Sequence, residues 1–186
     1  MFLYRYYEKN SDPFLTLTSL PFEEARALFL TKKAAGEQIP PNIDTFLQKR
    51  YDRDKILREA FVARGGNPVR TSPIYMMFGE HKQWESAYNE AAVIKIPMEE
   101  FDRGVVSFTY GDSFAVFNPK LFGEEEYWNK VFFADEILEI VGKYGLPPHV
   151  EYDFKRSVYP RDKHLNDHLK YVEAHVWDDE VINRYL

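Results

Sequence analysis

Four groups of side chains in this sequence carry atoms that can do chemistry. Arg5 stands among Tyr4, Tyr6 and Tyr7. A guanidinium there can hold a phosphate through paired N–H donors, or it can form an ion pair with a carboxylate at the edge of the core. Arg70, Thr71 and Ser72 follow Gly65 and Gly66 and precede an apolar run from Ile74 to Phe78. Their hydroxyls can orient a ribose or an amide and their guanidinium an anion; equally, Thr71 and Ser72 can satisfy loop backbone groups. Glu173 lies between Tyr171 and His175, near Trp177. It reads either as one wall of a cleft or as the wet outer face of an edge strand. His164 and His168 are four apart and share a face if helical. No Glu follows His164, as the zinc-protease pattern requires, so a metal-dependent hydrolase is a minor option and no metal site is assigned.

Strands and helices must bring these side chains together. Residues 2–8 alternate and predict a strand, which has to be tied into a sheet to avoid fraying. Pro21, Glu23 and Glu24 open a helix that Lys32, Lys33 and Gly36 close. A second helix is predicted over 43–63, ended by Gly65 and Gly66; its charged middle, 49–55, reads as a solvated face. Residues 74–78 are apolar on both sides, as in a central strand, with Tyr75 inside the run. Ala92, Ile94 and Ile96 alternate up to Pro97. Residues 105–110 and 113–117 flank Gly111 and Asp112 and predict a hairpin. A helix is predicted over 124–144, with Asp135 capping its second segment. A short strand follows at Val150, Tyr152 and Phe154, then a charged loop over 155–168. The last strand runs from Leu169 to Trp177. This order predicts an α+β domain with a mixed or antiparallel sheet and flanking helices.

The length of 186 residues fits one domain spanning 1–186. A formal charge of −6 argues against a general nucleic-acid backbone binder, while leaving room for a small anion held by a few arginines. The absence of cysteine excludes disulfides, thiolate catalysis and zinc-thiolate sites. With no signal-peptide pattern and no apolar run long enough to span a bilayer, the sequence reads as cytoplasmic, without membrane attachment. There is no glycine-rich dinucleotide fingerprint, no phosphate loop and no nucleophile elbow at Ser113.

Leu3-Tyr4-Arg5 on an early strand, a mid-chain Ser/Thr-bearing strand followed by a helix that contains an aromatic (His81, Trp84, Ala87 and Tyr88 have helical spacing), and a single Glu173 on a late strand occur in an order that resembles the ADP-ribosyltransferase-like fold. Phe108-Thr109-Tyr110-Gly111-Asp112 is similar to a segment of a family of uncharacterised bacterial proteins with that fold. The resemblance spans nearly the whole chain through short motifs. It implies a split sheet with a cleft for nicotinamide adenine dinucleotide (NAD). In that cleft Arg5 would bind phosphate or ribose. Ser72, with Thr71 and Arg70 beside it, would support the nicotinamide ribose, and Tyr75 would flank the ring. Glu173 would stabilise the oxocarbenium-like centre as nicotinamide leaves. Arginine-modifying members carry Gln or Glu two residues before the catalytic Glu, where this chain has Tyr171. That speaks against transfer to arginine and leaves as acceptor water, another group on a protein or nucleic acid, or nothing at all in a degenerate homologue. The contrasting expectation is a non-catalytic homodimer whose tyrosines and phenylalanines, 13 and 15 in number, supply a subunit interface.

Overall fold

The alternating N-terminal residues form β1, Phe2–Glu8, joined by seven antiparallel residue pairs to β3, Ala91–Pro97. The structure, a computed structural model, describes residues 1–36, 39–147 and 171–186. With β2 (Ile74–Phe78), β4 (Val106–Thr109) and β5 (Glu173–Val176), these strands make one sheet in the order β3-β1-β2-β5-β4. Every neighbouring pair is antiparallel, so the fold is α+β with no parallel contact in this sheet.

The helices cover both faces. α1, Phe22–Ala34, starts behind Pro21, with Glu23 and Glu24 at its positive end and Lys32 and Lys33 at its last turn. α2, Ile43–Ala63, is capped by the Asn42 side chain, which accepts from Thr45 N–H at 2.9 Å. It ends where Gly65 takes a φ of +92° and Gly66 N–H reaches Phe61 O at 2.9 Å. A Cβ on Gly66 would lie 2.6 Å from the Phe61 ring, so glycine is required there by space. Leu57 and Phe61 of α2 pack with Phe133 and Trp177 against the face that carries Tyr75. The opposite face, with Met76, Phe78, Phe108 and Ala174, packs against Ile137 and Ile140 of the helix Ala134–Tyr144. α1 rests on α2 through Phe29 and Phe46, edge to face at 5.6 Å, and through Arg26 on Asp44 at 2.7 Å.

Three expectations differ from the structure. Residues 113–117 do not return as a hairpin strand: Ser113–Val116 is a short helical turn, α3. The Asp112 carboxylate accepts from Phe114 N–H at 2.8 Å, so it caps a turn and does not reverse a strand. The helix predicted over 124–144 forms only as α4, Ala134–Tyr144. Asn129 has a φ of +55°, and Phe132 exchanges backbone hydrogen bonds with Phe108, which removes it from any helix. Asp135 is not the cap; it pairs with Arg103, while Glu136 accepts from Phe133 N–H at 2.8 Å. Finally, β5 is an inner strand between β2 and β4, buried on both faces, and not an edge strand with a wet side.

The expected strand at Val150, Tyr152 and Phe154, the loop over 155–168 with His164 and His168, and Leu169 at the start of the last strand all lie outside the described residues. Among the described residues the exposed Phe, Tyr and Trp side chains are Phe2, Phe122 and Tyr144; the others are buried or half-buried. No described helix is long and apolar enough to cross a membrane.

Candidate functional site

The sheet opens between two of its central strands. β1 pairs with β2 only at Leu3 with Phe78 and Tyr4 with Met77. The next residue, Arg5, turns its guanidinium onto the backbone: Nη1 donates to Tyr75 O at 3.0 Å and Nε to Pro13 O at 2.8 Å. A strand carbonyl thus finds its donor in a side chain rather than in the neighbouring strand.

A cavity of about 160 Å³ sits at this opening. Six aromatic side chains line it, Tyr4, Tyr6, Tyr75, Trp84, Tyr88 and Tyr171, together with Met76 and Met77. Its ionisable walls are Arg5, Arg50 and Glu173. Two guanidiniums against one carboxylate leave a local excess of positive charge in a chain of net −6. Small-molecule sites usually measure roughly 300–1,000 Å³, so this one holds a single ring and its immediate substituent. Burial pushes the Arg5 guanidinium below the ordinary arginine value; Tyr88 opposes that shift and Arg50 adds to it.

Glu173 is the most elaborately held group, with 7% of its surface exposed. β5 places it in register between Met77 of β2 and Thr109 of β4. Its Oε2 accepts from Ser113 N–H at 2.9 Å and faces His175 Nε2 at 3.2 Å, while the Tyr171 hydroxyl donates to Oε1 at 3.4 Å. The polarity of this chain can be deduced. Trp177 Nε1 has only a proton to give, and it donates to Ser107 Oγ at 2.9 Å. Ser107 Oγ also lies 3.2 Å from His175 Nδ1, and on the other side of the ring a carboxylate can only accept, so His175 Nε2 carries the proton that faces Glu173. Burial pushes the Glu173 carboxyl up, but the His175 contact and Ser113 N–H outweigh it, and the net shift is downward. The site therefore presents a fixed carboxylate.

α2 supplies the second half of the wall. Arg50 lies over the Tyr75 ring at 5.2 Å, and the edge of His175 meets the same ring at 5.5 Å. The Tyr75 hydroxyl donates to Asp54, which is 2% exposed. Burial raises the Asp54 pKa above its ordinary 3.8, against the Thr18 and Tyr75 hydroxyls and the charge of Arg50. Thr18 is close enough to contribute, yet neither its Oγ1 nor Asp54 Oδ2 has a hydrogen bond of good geometry. Tyr75 itself is pushed well above the ordinary tyrosine value, first by burial and then by Asp54.

Of the residues singled out from the sequence, Arg5, Tyr75 and Glu173 meet at this cavity. The 70–72 corner lies elsewhere. Ser72 is buried and its hydroxyl donates to Thr18 O at 2.6 Å. Thr71 is exposed. Arg70 pairs with Asp179, donates to Ser72 O at 3.0 Å, and lines a separate, more open cleft of about 320 Å³ with Ile182 and Asn183. The backbone N–H groups of Val69 and Arg70 bind Trp177 O, so this corner anchors the end of β5. The chemistry is concentrated in the smaller cavity.

Among the charged residues, the sequence reading missed Arg50 in the cavity wall and Asp54 behind Tyr75. Their stretch alternates in charge and looks solvated, but the buried stripe of α2 runs Leu47, Asp54, Leu57, Phe61. Arg50 falls on the same 3–4 spacing between Leu47 and Asp54, and that periodicity is the signal that could have found them. His175 was noted only as a neighbour of Glu173. Comparison with protein-family models, curated proteins and solved structures finds no match for this chain.

Proposed function

We propose that the cavity takes the nicotinamide riboside end of NAD and that Glu173 promotes departure of nicotinamide. The glycosidic C–N bond breaks, its electron pair leaves with nicotinamide, and the ribose carbon takes on oxocarbenium character. ADP-ribose then passes to water or to another nucleophile. The observation that carries this reading is a buried carboxylate held ionised on a rigid strand, inside an aromatic cavity that also contains two arginines. A carboxylate already oriented towards developing positive charge stabilises it without reorganising. Tyr75 and Trp84 offer ring faces and edges for the nicotinamide, and Arg5 offers a cation near the ribose. A cavity of about 160 Å³ has room for the nicotinamide ring and the ribose carbon bonded to it, and the remainder of the dinucleotide extends beyond it. Arg70, Thr71 and Ser72 enter this reading as scaffold.

Binding is tested by thermal unfolding with added NAD. At a hundredfold excess over Kd, a ligand adds about 2.7 kcal/mol, which for a chain of this size is about 5–10 °C. Quenching of Trp84 fluorescence should follow the same curve. No change in melting temperature or fluorescence up to 10 mM NAD (about the upper end of a practical titration) refutes the reading.

A further inference from the structure

Arg50 and Arg53 of α2 carry donors that the described residues leave without acceptors. The two stand three apart on one helix face, and both press a guanidinium against the Phe114 ring, at 5.6 and 5.1 Å. Arg50 also covers Tyr75, and Arg53 lies 5.4 Å from the Phe117 centroid. Arg50 Nε, Arg53 Nε and Arg53 Nη1 are buried with no hydrogen-bond partner. The carboxylates of Asp112 and Glu173 act on both arginines through space, and neither Arg50 nor Arg53 forms an ion pair among the described residues. Asp54, which also pulls on Arg50, is engaged by Tyr75. Two adjoining cations stacked on aromatic faces, with their N–H edges unused, are arranged for a group with several anionic oxygens.

We propose that Arg50 and Arg53 form a pyrophosphate subsite. Arg50 belongs both to this pair and to the cavity wall, so the subsite adjoins the place where a ring and its sugar fit. A linked diphosphate can span two guanidiniums that share one aromatic ring, which a single carboxylate does less well. Assigning the anion to a dinucleotide rests on the proposed function; the anion site itself does not.

The probe is inorganic pyrophosphate, titrated by calorimetry into wild type, Arg53→Gln, Arg53→Lys, Arg50→Gln and, as a surface control, Arg103→Gln. Wild type and Arg103→Gln are expected to bind alike. Arg53→Gln and Arg50→Gln should weaken binding at least tenfold. Arg53→Lys should recover only part of it, because an ammonium lacks the planar fork. No binding by wild type at millimolar pyrophosphate overturns the proposal. So does undiminished binding by Arg53→Gln, or an equal loss in Arg103→Gln. If Arg53→Gln fails to fold by circular dichroism, the wild type and Arg53→Lys titrations decide the matter. None of these readings involves nicotinamide release, so this proposal and the proposed function can fail separately.

Discussion

Replacing Asp54 with Asn should stabilise the protein at neutral pH. The carboxyl is 2% exposed, and burial lifts its pKa above 3.8 in spite of Thr18, Tyr75 and Arg50. A folded pKa above the unfolded one means that the fold prefers the protonated form. That preference contributes in full below pH 3.8 and is lost as pH rises through the folded value; at neutral pH the ionised group is a net cost. The amide imitates the protonated state. Its oxygen can still accept from the Tyr75 hydroxyl, and its N–H₂ replaces Oδ2 near Thr18 Oγ1, two atoms that lack a well-formed hydrogen bond among the described residues. Relieving one unsatisfied buried acceptor is worth about 1–2 kcal/mol, or about 2–8 °C in a chain of this size. The assay is calorimetric unfolding of wild type and Asp54→Asn across a pH series from neutral to acid. The gain should be largest near pH 7 and shrink as pH falls towards 3.8, where wild type becomes protonated. A lower melting temperature for Asp54→Asn at pH 7, or a gain that does not change with pH, refutes the reasoning.

Ser107→Ala should cost about 1–3 kcal/mol per stranded group, because Trp177 Nε1–H and His175 Nδ1 both lose their partner; denaturant unfolding measures it, and a change below about 0.5 kcal/mol contradicts the deduced hydrogen-bond chain. In wild type, nitrogen-15 spectra should show a proton on His175 Nε2, and an Nε2 without a proton would reverse the assigned polarity. Gly66→Ala should destabilise by about 1–3 kcal/mol through displacement of the Phe61 ring, and an unchanged urea midpoint would show that the ring yields freely. Because the Glu173 pKa is depressed, its stabilising contribution is present above pH 4.5 and is lost as pH falls through the folded value. Glu173→Gln should therefore flatten the acid limb of the stability profile, and an identical limb in the variant speaks against an ionised Glu173.

Much of the fold was legible because local rules and tertiary demands agree there. β1 alternates and is paired along its length; α2 starts at Asn42 and stops at Gly65 where cap chemistry says it should. Reading failed where a polar residue had two uses. Asp112 follows a glycine as a hairpin turn would ask, but its carboxylate reaches Phe114 N–H and winds a helical turn. The acidic residues at 124–126 read as the first turn of a helix, yet Phe132 is taken by β4 through backbone pairing that no side-chain pattern announces. Within the candidate site, Glu173 and Arg5 stood out as charges in apolar strands. Arg50 and Asp54 were hidden by charged neighbours on a helix, where only the phase of the stripe separates a wall from a solvated face. Ser72 looked like a ligand-facing hydroxyl; its carbonyl partner, Thr18, lies 54 residues away and could not be seen from its own neighbourhood.

The central claim is that Glu173 acts on bound NAD, and the most direct measurement is nicotinamide release, followed by chromatography, from wild type and Glu173→Gln at NAD concentrations where both are saturated. Wild type should release nicotinamide, and the variant should bind NAD with similar affinity while releasing it at least about a hundredfold more slowly, the usual loss for one preorganised electrostatic group. Release that is absent in wild type, or equally fast in Glu173→Gln, contradicts the account.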